Sequence, residues 1–340
     1  MAAGRGHRAH HQGSILTALT DVLESEAGRA QFTVINNRLL LVCFFLGVVF
    51  FPDTGCAQFT DAHSYDNGPV GLNQLELSYA YVHSNASLDT SLVVAGARLN
   101  INQGMIDYAR YFGLFNRLAW VEAGVPIAGL SGSISGTKIQ GSTTGAGDSS
   151  YQMGMLLKNG PALTVAQFQD YKPTTVFGVS FTITAPTGLY RPNKILNLGS
   201  DRWLFKPEIA LSHPFGSEQK WQIDAYANAY FYTDNTSYHG RQILRQEPLP
   251  GLEGHITYSF NDIVWASLDT RYSFRGTTFV NGLDQGNAQQ NLILGSEINI
   301  SLNSRNALLF EFAKAVVHQN GPAIGGFTVK YDYTWGKGYR

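Results

Sequence analysis

The histidines and serines of this sequence do not assemble a reaction. His213, His239, His255 and His318 stand far apart, with no His-x-x-x-His or Cys/His spacing that would hold a metal ion. Ser273 with His255 is a pair one can draw for a lipid-hydrolysing surface, which needs a nucleophile beside its base, but many other pairs can be drawn as well. The stretch GAGDSS at 145–150 resembles a phosphate-cradling loop only in composition, because that loop needs a strand before it and a helix after it. The expectation is no enzyme, no catalytic residue, no metal and no cofactor. A different set has spacing suited to electrostatic work. Arg98, Glu122, Lys206, Glu208, Asp224, Asp269, Arg271, Glu297, Lys330 and Asp332 fall at alternate positions of extended runs, diluted among neutral polar residues. Charges of both signs around a narrow passage select what it admits, and Tyr226 and Tyr230, in phase with Asp224, can stack on an aromatic solute.

Those residues need strands to aim them. In WQIDAYANAYFY (221–232), Ile223, Ala225, Ala227, Ala229 and Phe231 alternate with Gln222, Asp224 and Asn228, and a strand sends such alternate side chains to opposite faces. The same period of two recurs in Val176–Thr184, Trp203–Ser212, Asn291–Leu302 and Phe327–Trp335. It is weaker in 75–81, 93–101, 105–112, 117–127, 151–157, 254–260, 264–274 and 307–317. Turn signals such as Asn261-Asp262, Asn281-Gly282 and Asn303-Ser304 separate the runs, the pattern of antiparallel hairpins. Thirteen candidate strands conflict with the even number of a bacterial single-chain barrel, so twelve is the expectation. Gly129–Ser150, rich in Gly, Ser and Thr, reads as a long flexible loop, and Pro161–Tyr171 reads as a short helix in a periplasmic turn or a plug.

The N-terminal part points to export. Thirteen apolar residues, Leu39–Phe51, follow Arg38 and precede Thr54-Gly55-Cys56-Ala57. The run is short for a spanning helix, and Gly55-x-Ala57 suits cleavage before Gln58. A lipoprotein signal ending at Cys56 and a buried core helix are the rival readings. Residues 34–57 are thus a signal peptide, residues 1–33 a mis-called or unstructured extension, and 58–340 the mature domain. Both cysteines, Cys43 and Cys56, lie in the removable part. Twenty-four basic against 25 acidic residues give no net field for nucleic acid, and the low charged fraction of 14% with 36 glycines suits many strands and turns.

Lipid or a soluble core must take the apolar rows. The sparse, mixed-sign polar rows suit a closed lumen, and aromatics near strand ends, among them Trp203, Phe231, Phe274, Tyr333 and Trp335, suit the girdles of a membrane barrel. A secreted sandwich would carry more charge on its wet face. Residues 185–214 resemble the outer-membrane proteins grouped as "putative MetA-pathway of phenol degradation", through Pro186-Thr187-Gly188, Tyr190, Asn197-Leu198-Gly199, Arg202-Trp203 and Pro207-Glu208. The resemblance implies an all-β, antiparallel transmembrane barrel of the bacterial outer membrane, similar to hydrocarbon-uptake channels, and it implies no catalytic site. Within the motif, Tyr190, Arg191, Lys194, Asn197, Asp201 and Arg202 form either a constriction at the pore mouth or a plain hairpin connection. The expected function is passive uptake of small hydrophobic or aromatic compounds by a monomer, whose partners are outer-membrane lipid, that solute and the barrel-assembly machinery. A non-conducting structural barrel, a lipid hydrolase and a secreted β-sandwich binding protein are the alternatives.

Overall fold

The computed structural model describes residues 60–89, 91–93, 96–138 and 140–339. The extension, signal-peptide and cleavage readings lie outside these residues. Twelve strands close into an antiparallel barrel: β1 (Leu72–Ser84), β2 (Ala97–Leu114), β3 (Arg117–Ile134), β5 (Ser149–Lys158), β6 (Val176–Ala185), β7 (Leu204–Phe215), β8 (Trp221–Tyr232), β11 (Leu249–Ser259), β12 (Val264–Arg275), β15 (Gln289–Asn303), β16 (Asn306–Gln319) and β17 (Gly325–Gly336). Pairing of β1 with β17, from Leu72 opposite Gly336 to His83 opposite Gly325, seals the wall and leaves no edge.

The thirteen candidates become twelve because 97–101 of the one candidate and all of 105–112 of the next belong to a single strand, β2. Asn102-Gln103-Gly104 breaks the apolar alternation, yet all three pair in register with both neighbours. The flexible-loop expectation for Gly129–Ser150 is overturned too. β3 runs on to Ile134, turns, and returns as β4 (Gln140–Ala146), so small polar residues build an extended hairpin beyond the barrel rim. Between β2 and β3 the turn is two residues, Phe115 and Asn116, both at positive φ (50° and 60°), which matches the twist of the flanking strands.

Short turns gather at the end that carries Phe115-Asn116 and the C-terminus; long connections gather at the other, the pattern of periplasmic and extracellular ends. The exception is 159–175 at the short end, whose single helical turn α1 (Val165–Phe168) starts at a Thr164–Gln167 capping box rather than at Pro161. At the long end, β9 (Asn235–Tyr238), β10 (Gln242–Gln246), β13 (Thr278–Val280) and β14 (Leu283–Asp284) form a small separate sheet.

Polarity is inside out relative to a soluble protein. On β8 Ile223 and Phe231 are 44% and 43% exposed, whereas Asp224 is 0% and Gln222 and Asn228 are 7% exposed. Leu77, Ile106, Val125, Ile209, Leu252 and Leu268 likewise face out, while Glu208, Glu253, His255, Asp269 and Glu297 are buried. Water would penalise that exterior, and lipid favours it. Phe215, Trp221, Tyr258 and Phe260 form a chain of ring contacts at the short-turn end, and Tyr333, Trp335 and Tyr108 form another. Such belts mark the membrane interface. Leu268→Arg, placed near the middle of β12, is therefore expected to cost about 2–4 kcal/mol of folding stability in bilayers. Equilibrium refolding into vesicles checks this, and a cost near zero would place that face in water.

Candidate functional site

Before β1 the chain turns inward. Thr60–Pro69 runs inside the barrel as a plug, entering at the short-turn end, where the Val70 and Gly71 N–H groups donate to the Leu163 and Tyr111 carbonyls at 2.8 and 2.9 Å. A compact turn shapes the plug, with Ser64 Oγ donating to the Asp61 carbonyl at 2.7 Å. Lumen carboxylates then take its backbone donors. The Thr60 N–H donates to Glu253 Oε2 (2.8 Å), the Ala62 N–H to Glu297 (3.2 Å) and the His63 N–H to Asp224 Oδ2 (3.3 Å). A buried backbone N–H left unpaired costs as much as a lost hydrogen bond, so these acids suit this segment.

Side chains complete the lock. Lys330 Nζ donates to both Asp61 carboxylate oxygens at 2.7 Å and pairs with Glu311 at 3.1 Å. The Tyr65 hydroxyl lies 2.7 Å from Ser180 Oγ and donates to Glu208 Oε1 at 2.9 Å; burial and the Glu208 charge raise its pKa far above the ordinary phenol value. The Tyr65 ring packs on Trp120 and Tyr226, with centroids at 5.4 and 5.2 Å, in an apolar cluster with Leu118, Leu156 and Val176. Trp120 can lie in that cluster because Gly154 faces it; a Cβ there would sit 2.1 Å from the indole. Lys206 pairs with Glu208 (2.8 Å) and donates to Thr60 Oγ1 (3.0 Å).

His63 supplies a pH dependence. Burial lowers its pKa, but Asp66 at 2.8 Å and the charge of Asp224 outweigh this, and the net shift is upward. A raised folded pKa means that the stabilisation is complete below the unfolded value and is lost as pH rises through the folded value. The plug is thus expected to dock less tightly, and conductance to rise, as pH climbs above the ordinary histidine value of about 6.5. Bilayer recordings should show His63→Gln flattening that rise; an unchanged profile would remove His63 as its cause.

Each residue singled out in the sequence has a definite place. Glu122, Lys206, Tyr230, Lys330 and Asp332 line a cavity of about 760 Å³ beside the plug. Glu208, Asp224 and Glu297 bind the plug, as above. Asp269 accepts from Ser267 Oγ (2.7 Å) and lies 2.8 Å from His255 Nδ1. Arg271 stands 3.8 Å from Glu253 and stacks over the Tyr230 ring at 5.5 Å. Two expectations are corrected. Arg98 is exposed on the outer side of β2, because Ala97, Leu99 and Ile101 take the inward positions of that strand. Tyr226 is not open to a solute: it is 2% exposed and its hydroxyl donates to the Asp61 carbonyl at 3.3 Å. His255 and Ser273 are both buried and four residues apart in register across β11 and β12, so they form no outer-surface pair.

The motif loop between β6 and β7 is a fastened cap. Asp148 accepts the Gly188 N–H and the Ser200 N–H, each at 2.8 Å, and a Cβ on Gly188 or Gly199 would crowd backbone at 2.6–2.8 Å. Leu189, Leu196 and Leu198 pack with Leu99, Ile101 and Leu130 inside the far end of the barrel. Asn197 closes the loop on itself through Arg191 and Lys194 backbone, the Asn235 amide donates to the Tyr190 hydroxyl at 3.0 Å, and Asp201 accepts from Ser237. Arg191 and Lys194 are exposed. Arg202 pairs not with Asp201 or a wall carboxylate but with Asp89 of the β1–β2 connection at 2.7 Å, and it stacks over Tyr232 at 4.2 Å.

Sequence reasoning missed Asp61, His63, Tyr65 and Asp66, because a ten-residue segment before the first strand has no periodicity to read. It also missed Asp107, Glu253 and Glu311, although their place in the strand alternation was available. The expected balance of charge needs correction as well: nine carboxylates line the cavity against Lys206, Lys330 and His63. Two groups among the described residues are compact enough for a metal ion, His255/Asp269/Glu297 and Asp61/Glu297/Glu311. In the second the Lys330 ammonium already supplies the positive charge.

The comparisons agree with this architecture. The model of a family described as "Putative MetA-pathway of phenol degradation" matches residues 83–331. No match was found among curated proteins. Among solved structures, the COG4313 outer membrane channel from Pseudomonas putida F1 superposes with a TM-score of 0.69 at 20% identity, covering 82% of this chain and 100% of that one. The beta domain of the Bordetella autotransporter BrkA reaches a TM-score of 0.47 at 10% identity, over 78% of this chain and 100% of that one. The KdgM porin in complex with disordered oligogalacturonate reaches 0.42 at 8%, over 76% and 99%.

Proposed function

Because the chain belongs to the outer-membrane barrel family described as "Putative MetA-pathway of phenol degradation", we propose that it is a narrow diffusion channel for small solutes, hydrophobic or aromatic compounds in particular. The observation that carries this reading is the cavity of about 760 Å³, lined by both charged and apolar side chains, left between plug and wall in a barrel whose outer face is apolar. A merely structural barrel of twelve strands would gain by filling that space with side chains. The aromatic preference draws on the family's label and on Tyr111, Trp120 and Tyr230 in the cavity wall. The chain acts as a monomer without a catalytic step, delivered to the membrane by the assembly machinery after its leader is removed near Ala57.

Steric and electrostatic selection is the mechanism. A solute entering past the fastened cap meets Lys206, Tyr230 and the wall acids, then passes the plug. Liposome swelling with neutral solutes of graded size tests the proposal. Rates should exceed those of empty liposomes for the smallest solutes and vanish at disaccharide size. The plug, bonded to the wall on several strands, supports a second reading in which the barrel does not conduct. Swelling equal to that of empty liposomes for every solute would establish that second reading instead.

A further inference from the structure

One wall of the cavity carries a row of acids that the plug does not use. Glu76 on β1 stands directly opposite Asp332 on β17 and directly opposite Asp107 on β2. Asp107 in turn faces Gly124 on β3, which places Glu122 one diagonal step away. All four line the cavity. Like charges directly opposite on neighbouring strands are destabilising, so such a row calls for a positive partner. The partner within the protein is already committed: Lys330 holds Asp61 at 2.7 Å and Glu311 at 3.1 Å. Gln74, oriented by the Tyr111 hydroxyl at 2.9 Å, donates to Asp332 at 2.7 Å.

Asp107 is the second observation. It is only 7% exposed, and its Oδ1 has no hydrogen-bond partner. A buried carboxylate oxygen without a donor is unfavourable, and a cation beside it offsets that cost. Gly124 on the strand opposite seats that oxygen, since a Cβ there would stand 1.9 Å from it. The row is not shaped for a bare metal ion, because the compact carboxylate groups among the described residues lie elsewhere.

An aromatic pair adjoins the row. Tyr111 and Trp120 are directly opposite each other on β2 and β3, and both line the cavity. Trp120 precedes Glu122 by two residues on the same face, a rise of about 6.7 Å. We infer that this wall is a binding site for protonated arylalkylamines, the ammonium group against Glu76, Asp107, Glu122 and Asp332 and the ring toward Tyr111, which Trp120 backs from the neighbouring strand. The inference deepens the channel reading by naming the solute class, and binding tests it separately from conduction.

Calorimetry on the full-length protein in detergent provides the test, with phenethylammonium as probe, 2-phenylethanol as its neutral counterpart and Mg²⁺ as the bare-ion control. Phenethylammonium should bind at least about tenfold more tightly than 2-phenylethanol, and Glu76→Gln with Asp107→Asn should bring the two within about twofold. Asp107→Asn alone should lose part of the preference, and the heat-shifted gel mobility of each variant reports that the barrel is folded. Equal binding of the two aromatics, a preference that survives neutralisation, or binding of Mg²⁺ without the amine would overturn the inference. Amine binding by a protein that fails to conduct would leave this site standing and end the channel reading; conduction without amine preference would do the reverse.

Discussion

Deleting Thr60–Gly68 is expected to raise single-channel conductance about threefold or more, because that segment fills the middle of the lumen. The plug places Asp61 between Lys330 and the Tyr226 hydroxyl, and Tyr65 between Trp120 and Tyr226. Without it, Glu208, Glu253, Glu297 and Lys330 would face water rather than the plug's backbone N–H groups, hydroxyls and Asp61 carboxylate. The deletion should also lower the temperature at which the folded form is lost, since the apolar cluster around Trp120 and Leu156 loses its central ring. Tyr65→Ala is the milder version, with a smaller rise in conductance and a partial loss of heat resistance. Conductance unchanged by the deletion would mean that the segment leaves the lumen once the protein is in a bilayer.

Arg202→Ala carries the largest expected cost at the extracellular end. The Arg202 side chain is 0% exposed, pairs with Asp89 at 2.7 Å, donates to Ser91 Oγ at 2.9 Å and stacks over Tyr232. Removing one partner of a buried ion pair leaves an uncompensated charge, at about 3–5 kcal/mol. The substitution should therefore release both the β1–β2 connection and the β6–β7 cap. Limited proteolysis of whole cells is the check: rapid cleavage near Asp89 or Asn193 is expected in the variant and not in the wild type. Arg202→Lys should rescue only in part, since an ammonium lacks the planar fork and the flat face over Tyr232. Equal protease resistance would assign the cap's stability to Asp148 and the leucine cluster alone.

Strand identity was legible because lipid on one side and polar lumen on the other impose a strict period of two, and WQIDAYANAYFY shows it residue by residue. Where the period fades, legibility fades too. Asn102-Gln103-Gly104 puts an amide and a glycine at the outward positions, so one strand read as two; Gly129–Ser150 rises beyond the bilayer, where neither face needs apolar residues, so a hairpin read as a loop. Arg98 was misplaced for the same reason, because it lies on the β2–β3 extension where inward positions are apolar. The motif residues Pro186-Thr187-Gly188 and Asn197-Leu198-Gly199 were visible as a pattern. Their work, seating a loop on Asp148, depends on a residue 40 to 52 positions upstream and shows no local signal. The plug was illegible because its hydrogen-bonding partners are spread over six strands.

The central claim is that this barrel, plug in place, still conducts. Planar-bilayer recording of purified full-length protein, shown to be folded by a shift in gel mobility between unboiled and boiled samples, tests it most directly. Small, discrete conductance steps are expected, far below those of wide sixteen-stranded porins. A bilayer that stays silent at every voltage, with protein whose mobility shift proves a closed barrel, would contradict the account and leave a structural barrel in its place.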